Sequence, residues 1–208
     1  MAVKLGPAGV PLSCKGRTIV EGMDDIISLG LETMEVQTVR MVSPQHFEQY
    51  WQAGVLAHKT GFEMNIHGPY YSELLGDRLQ RNRSLAKVEA ALQAAKTINA
   101  RHVTLHAGHY GEMSRGQAAN EQVASVFKGI VQRVHDIWND DEEIYPVFPW
   151  LKEGTPSKIG VETSGRQELW GSLEEVLEVV NHVEGTIPVI NLAHVHACLL
   201  YTSPSPRD

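Results

Sequence analysis

The sequence has few cysteines, no long apolar run and no excess of positive charge, and each lack excludes a class of protein. Its 208 residues include two cysteines, Cys14 and Cys198, too few for a disulfide framework or a thiolate zinc site. Any metal must therefore rest on histidine and carboxylate ligands. Charges or glycines interrupt every apolar stretch, and Met1 leads into Ala-Val-Lys-Leu-Gly without a basic-then-apolar leader, so a soluble, cytoplasmic protein is expected. The formal net charge of −7 gives no global attraction to a polyanion, and nucleic-acid binding would need a local basic patch or bound metal ions. No Gly-x-Gly-x-x-Gly turn follows a strand, which argues against a dinucleotide fold. With 42% apolar residues, the chain can bury a substantial core as one domain.

What is present is an alternation. Short runs rich in β-branched residues, near Val3–Pro7, Thr33–Val39, Glu63–His67, His102–His106, Lys158–Thr163 and Pro188–Ala193, predict six strands. Between them, helical periodicity predicts helices near Arg17–Leu29, Pro44–Thr60, Asn82–Ile98, Gly116–Trp138 and Ser172–Val183, with Leu85, Val88, Leu92 and Ala95 forming one apolar face. End signals agree: Ser172 precedes Glu174 and Glu175, Ser43-Pro44 reads as an N-cap followed by proline, and Gly30 and Gly61 stand where a left-handed residue closes a helix. Residues Asn139–Ser157, with three prolines and Trp150, break the rhythm and are expected to form an inserted loop.

Repeated βα units predict an α/β fold with a parallel sheet, specifically a (β/α)8 barrel. A barrel takes eight strands and typically about 250 residues, so this one is expected to be incomplete, with about six units present and the last two missing. The C-terminal string Cys-Leu-Leu-Tyr-Thr-Ser-Pro-Ser-Pro-Arg-Asp, residues 198–208, resembles a translated sequencing adapter. Residues 1–197 are accordingly expected to be the barrel domain and 198–208 a non-native tail in which no helix starts, leaving sheet edges exposed and solubility poor.

In such a barrel, active sites lie at the carboxyl ends of the strands. Those ends read Asn65-Ile66-His67-Gly68-Pro69-Tyr70-Tyr71, Leu105-His106-Ala107-Gly108-His109, Val161-Glu162-Thr163-Ser164-Gly165 and Asn191-Leu192-Ala193-His194-Val195-His196. Imidazole and carboxylate suit Zn²⁺ and, to a lesser degree, Mn²⁺ or Fe²⁺. A lone histidine at a strand end is more often structural than a ligand, but three such ends favour metal binding. Glu162, in an otherwise apolar strand, would carry a large desolvation cost without a partner. Gly68, Gly108 and Gly165 are expected to leave room for a substrate backbone. His102, at the start of its strand, is expected to be structural, and His46, His58, His135 and His182 to lie on helix surfaces. Glu35 and Gln37 share a parity, and a core hydrogen-bond network is as good an account of them as substrate contact.

Taken together, these four strand ends resemble, in order and spacing, the metal motifs of the endonuclease IV (deoxyribonuclease IV, AP endonuclease family 2) family, particularly its archaeal-like branch, within the xylose isomerase-like TIM-barrel superfamily. The resemblance covers residues 1–197. It implies up to three zinc ions, with Mn²⁺ possible, on an abasic-site phosphodiester, and a metal-activated hydroxide that attacks phosphorus 5′ to the lesion. By the same resemblance His67 and His106 would hold one ion, Glu162 would bridge it to a second and be the catalytic carboxylate, and His194 would serve a third. Asn191 stands where an Asp should serve the second ion, and a neutral amide is a poorer zinc ligand. Tyr70 and Tyr71 follow the first ligand, where the family presses side chains against distorted DNA. Packing on the rim accounts for them equally well. His109, Arg166 and His196 complete the expected substrate contacts, with Arg40 a weaker candidate. The remaining ligands would lie on strands seven and eight, so the chain as given is expected to be inactive.

The resemblance thus implies a zinc-dependent hydrolase whose partner is DNA with abasic sites, with no membrane association and a monomeric full-length protein. The alternative within the superfamily is a metal-dependent sugar isomerase or epimerase acting on a small sugar, in which a metal such as Mn²⁺ orients hydroxyl and carbonyl while a carboxylate moves a proton. The His67 and His106 pair favours the nuclease. The acidic net charge and Asn191 favour the isomerase. A barrel retained only for binding is a third class, against which the intact His67, His106 and Glu162 argue.

Overall fold

A computed structural model describes residues 3–16, 18–42, 46–140 and 154–200. Helices and strands alternate along them: α1 (Ile19–Ser28), β1 (Thr33–Gln37), α2 (Phe47–Thr60), β2 (Glu63–His67), α3 (Arg78–Ile98), β3 (His102–Leu105), α4 (Gln117–Asn139), β4 (Lys158–Glu162), α5 (Leu173–His182), β5 (Thr186–Val189) and α6 (Leu192–Leu200). The strands form one sheet in chain order, β1-β2-β3-β4-β5. β1 and β2 are parallel from Thr33↔Glu63 to Gln37↔His67, and β4 and β5 from Ile159↔Thr186 to Glu162↔Val189. Parallel neighbours need a crossover between them, and the intervening helices supply it. In β2, β3 and β4 the first residue is the least buried and the rest are almost wholly enclosed, as expected of strands covered on both faces.

The local chemistry sets the helix limits. Thr18 caps α1 through a reciprocal box with Glu21, Glu21 N to Thr18 Oγ1 at 3.2 Å and Thr18 N to Glu21 Oε2 at 3.0 Å. Ser172 and Glu175 form the same box on α5. Each such cap stabilises by about 1 kcal/mol. Gly30 and Gly61, at φ 74° and 70°, close α1 and α2 in the left-handed region, as the sequence predicts.

Three expectations are corrected. Residues 3–7 form no regular strand, although their backbone follows β1: Glu32 N donates to Leu5 O at 3.0 Å, Glu35 N to Pro7 O at 3.1 Å, and Gly9 N to Glu35 O at 2.8 Å. Pro7 has no N–H to continue the ladder, and only Ala8 makes a bridge, to Glu35. Nor does the last expected strand reach Ala193. β5 ends at Val189 and α6 begins at Leu192, because Asn191 Oδ1 accepts from His194 N at 3.2 Å and so caps a helix. Cys198 and Leu199 lie inside that helix, where no helix was expected. The Ser43-Pro44 cap, the centre of the 139–157 insertion (141–153) and tail residues 201–208 lie outside the described residues.

By contact the chain divides into two compact units, 1–69 with 87–103 and 133–157, and 70–86 with 104–132 and 158–208. The first packs Met23, Ile26, Met34, Ala53, Met64, Ile66, Leu92 and Ile98 into its interior. The second buries Leu74, Leu105, Phe127, Ile159, Val161, Trp170, Val176 and Val179. Among the described residues no helix is long and apolar enough to cross a membrane.

Candidate metal centre

His67 is the last residue of β2 and is 8% exposed. Thr38 fixes its backbone, donating to the His67 carbonyl from N at 3.0 Å and from Oγ1 at 2.7 Å. The His67 ring places Nδ1 2.9 Å from Gly68 O. A carbonyl only accepts, so Nδ1 carries the proton and Nε2 the lone pair that a metal ion uses.

His106 directly follows β3 and Glu162 ends β4; both are buried, at 8% and 4% exposure. His106 Nε2 stands 3.3 Å from Glu162 Oε2. One ligand atom from each of His67, His106 and Glu162 lies within 4.8 Å of the other two. Around a tetrahedral zinc ion, bonds of about 2.0–2.2 Å set nitrogen and oxygen ligands roughly 3.3 Å apart. The donor types and their spacing therefore fit a divalent ion, with two imidazoles and a carboxylate contributing.

The other oxygen of Glu162 faces a different group. Asn191 Nδ2 donates to Glu162 Oε1 at 2.9 Å while Asn191 Oδ1 caps α6. His194 Nδ1 is 2.8 Å from Thr163 O and 3.6 Å from the same Glu162 Oε1, so its Nδ1 also carries the proton. Thr163, fully buried, accepts from Asn191 N through Oγ1 at 3.0 Å and thereby holds the start of α6 against the end of β4. Tyr70 sets its ring edge-on to His106, with centroids 5.3 Å apart.

The loops around this carboxylate are tied to one another. Gly108, at φ 92°, admits the Ser72 carbonyl into the space a side chain would fill, and Gly165 is pressed by His194. At these two glycines the neighbour is the protein's own chain, where the sequence suggested room for substrate. Glu73 grips His109 twice, from its ring Nδ1 at 2.8 Å and its backbone N at 3.0 Å. Trp170 N donates to Gly108 O at 2.9 Å, and Ser164 N to Gly171 O at 2.7 Å. Beneath them, Tyr110 donates to the buried Glu175 at 2.7 Å and accepts from Arg115 Nε at 3.0 Å. Burial, reinforced by that bond to Glu175, pushes the Tyr110 phenol up to about 12. Trp170 Nε1 donates to Asn120 Oδ1 at 2.9 Å, and Asn120 Nδ2 to Glu178 at 2.7 Å.

Of the residues singled out in the sequence, the structure brings His67, His106 and Glu162 together and sets Tyr70, Asn191 and His194 against His106 or Glu162. Tyr71 is 68% exposed and packs edge-on to Tyr70. His109 is engaged by Glu73. Arg166 is exposed, 3.7 Å from Glu168, and His196 lies on the exposed side of α6. Gln37 donates to Glu35 at 2.8 Å, but the bond is exposed and Gln37 lies at the surface, so the pair is not the core network the sequence suggested. Sequence reasoning missed Thr163 and Glu73, whose roles arise from packing between loops. It also missed the cap at Asn191, for which a signal existed: an asparagine directly before a run of helix-forming residues.

Residues 23–199 match the family described as xylose isomerase-like TIM barrel, and the chain belongs to that family. No curated protein sequence matches it significantly. Among solved structures, it is similar to a D-tagatose 3-epimerase-like protein at 15% identity and TM-score 0.63, covering 92% of this chain and 66% of that one. It is similar also to endonuclease IV from Thermus thermophilus, at 18% identity and TM-score 0.58, over 91% and 64% of the two chains. A third is the IOLI protein with a binding zinc atom, at 16% identity and TM-score 0.52, over 87% and 60%. The chain thus spans about two thirds of their lengths or less, and likeness at these identities defines the fold.

Proposed function

We propose that this chain carries the metal site of a zinc-dependent phosphodiesterase of the endonuclease IV kind, which incises DNA 5′ to abasic sites. The observation that carries the reading is the imidazole-rich ligand set: His67, His106 and Glu162 place one donor atom each within 4.8 Å of the others. Two neutral nitrogens and one carboxylate oxygen suit zinc better than Mg²⁺ or Ca²⁺, which prefer oxygen cages. The solved relative that binds zinc supports the same choice of ion.

In this reading His67 Nε2, His106 Nε2 and Glu162 Oε2 would hold the ion. When bound, a divalent ion there supplies Lewis acidity toward a phosphoryl oxygen and brings the pKa of a water toward neutrality. The chain's own residues do the rest. Gly68 O fixes the His67 tautomer, Asn191 Nδ2 orients the Glu162 carboxylate through Oε1, and burial of all three residues limits competing water. Tyr70, 46% exposed, offers an aromatic face for an unstacked base. The net charge of −7 means that attraction to DNA must come from the loaded site or a local basic patch.

A second reading, a sugar isomerase or epimerase, draws on the Asn191 amide beside Glu162 and on the epimerase-like solved relative. One assay separates them. The complete natural gene product is incubated with an abasic-site duplex, with and without chelator, and in parallel with a panel of ketoses. Chelator-sensitive incision 5′ to the lesion is the expected result; sugar interconversion without incision would replace the nuclease reading.

A further inference from the structure

We propose that Asn191 limits Glu162 to a single divalent ion, so that the described residues form a one-metal site instead of a carboxylate-bridged pair. This rests on the metal-site reading above and departs from what the family resemblance implies for Asn191 and His194. To bridge two cations, a carboxylate must turn one oxygen to each. Here Oε2 faces the His106 nitrogen at 3.3 Å, on the side of the shared ligand cluster. Oε1 accepts from Asn191 Nδ2 at 2.9 Å, and His194 Nδ1 lies 3.6 Å from the same oxygen while its proton goes to the Thr163 carbonyl at 2.8 Å.

The orientation of the amide is fixed by its other end. Asn191 Oδ1 must be the acceptor, because it receives His194 N at 3.2 Å; the NH2 group therefore points at Glu162. The His194 tautomer is likewise fixed, since Nδ1 lies 2.8 Å from the Thr163 carbonyl. The Asn191 N–H dipole thus presents its positive end to Oε1, where a second cation would meet like charge. The same hydrogen bond holds Oε2 in the attitude that the first ion needs, as outer partners of metal ligands commonly do.

The test is a Co²⁺ titration of the 208-residue chain, followed by visible absorption, with Zn²⁺ content by elemental analysis after dialysis. The wild-type chain should saturate at one equivalent. Asn191→Asp keeps the cap acceptor, removes the donor and adds a carboxylate beside Glu162, and should saturate at two. Glu162→Gln should bind at least tenfold more weakly at the first equivalent. Far-UV circular dichroism checks that each variant retains its helices.

Two or more tight equivalents in the wild type, lost together in Glu162→Gln, would overturn the one-metal proposal and leave the metal site standing. Asn191→Asp saturating at one equivalent would also overturn it, because Asn191 would not then be what limits the count. No binding by a folded wild-type chain would overturn the metal reading itself.

Discussion

Two glutamates, one at the start of a strand and one at the end of another, show how different surroundings give one side chain opposite roles. Glu63, at the start of β2, lies 2.9 Å from Arg101 and 3.3 Å from Lys4, and its side chain is 20% exposed. Its charge is met by the protein's own cations. The side chain of Glu162, at the end of β4, is 5% exposed, and the His106 ring and the Asn191 amide approach its two oxygens. A carboxylate already matched by guanidinium and ammonium has little to gain from a metal ion. One enclosed among imidazole and amide groups sits where water is largely excluded, and there a divalent ion is attracted more strongly than it would be in water. Residue type alone does not separate the two, but position along the strand does.

The largest effect that would break this contrast is on metal affinity. His106→Ala or Glu162→Gln should weaken Zn²⁺ binding by about 100-fold or more, whereas Glu63→Gln should leave it unchanged, as read by competition with a chromophoric chelator. Next, Zn²⁺ at about 100 times its Kd should stabilise the chain by about 2.7 kcal/mol. For a domain of this size that is a rise of roughly 5–10 °C in Tm, removed by chelator and absent in Glu162→Gln.

Tyr110→Phe takes a donor from buried Glu175 and should cost about 1–3 kcal/mol in urea unfolding. In the unsubstituted protein the Tyr110 phenol, raised to about 12, should ionise only near that value in an alkaline absorbance titration. The smallest effect falls beside Glu63, where exposed ion pairs contribute about 0–1 kcal/mol. There, burial, with help from Arg101 and against the pull of Glu63, holds the His102 pKa below its ordinary 6.5. A depressed histidine binds fewer protons when folded than when unfolded, so its stabilisation is complete above pH 6.5 and declines as the pH falls below it. His102→Asn should flatten that decline in urea unfolding measured between pH 7 and 5.

Much of the fold was legible in the residues because local signals agreed with one another. The β2 limits, the Ser172 cap and the left-handed glycines Gly30 and Gly61 all follow from short-range chemistry. The grouping of His67, His106 and Glu162 was legible for the same reason, as polar residues at the ends of apolar strands. What was not legible depends on long-range packing. Pro7 breaks a ladder that the apolar pattern of residues 3–7 suggested, and Asn191 starts a helix where an extended run was expected. The space beside Gly108 is filled by a loop more than thirty residues earlier in sequence, which no local pattern encodes.

The account stands most directly on whether one ion binds the three residues together, and X-ray absorption at the zinc edge of the Zn²⁺-loaded chain measures this. The prediction is a nitrogen and oxygen shell at about 2.0–2.2 Å with imidazole outer-shell scattering and no sulfur near 2.3 Å, the imidazole signal falling in both His67→Ala and His106→Ala. A sulfur shell from Cys14 or Cys198, or a spectrum that neither substitution alters, would contradict it.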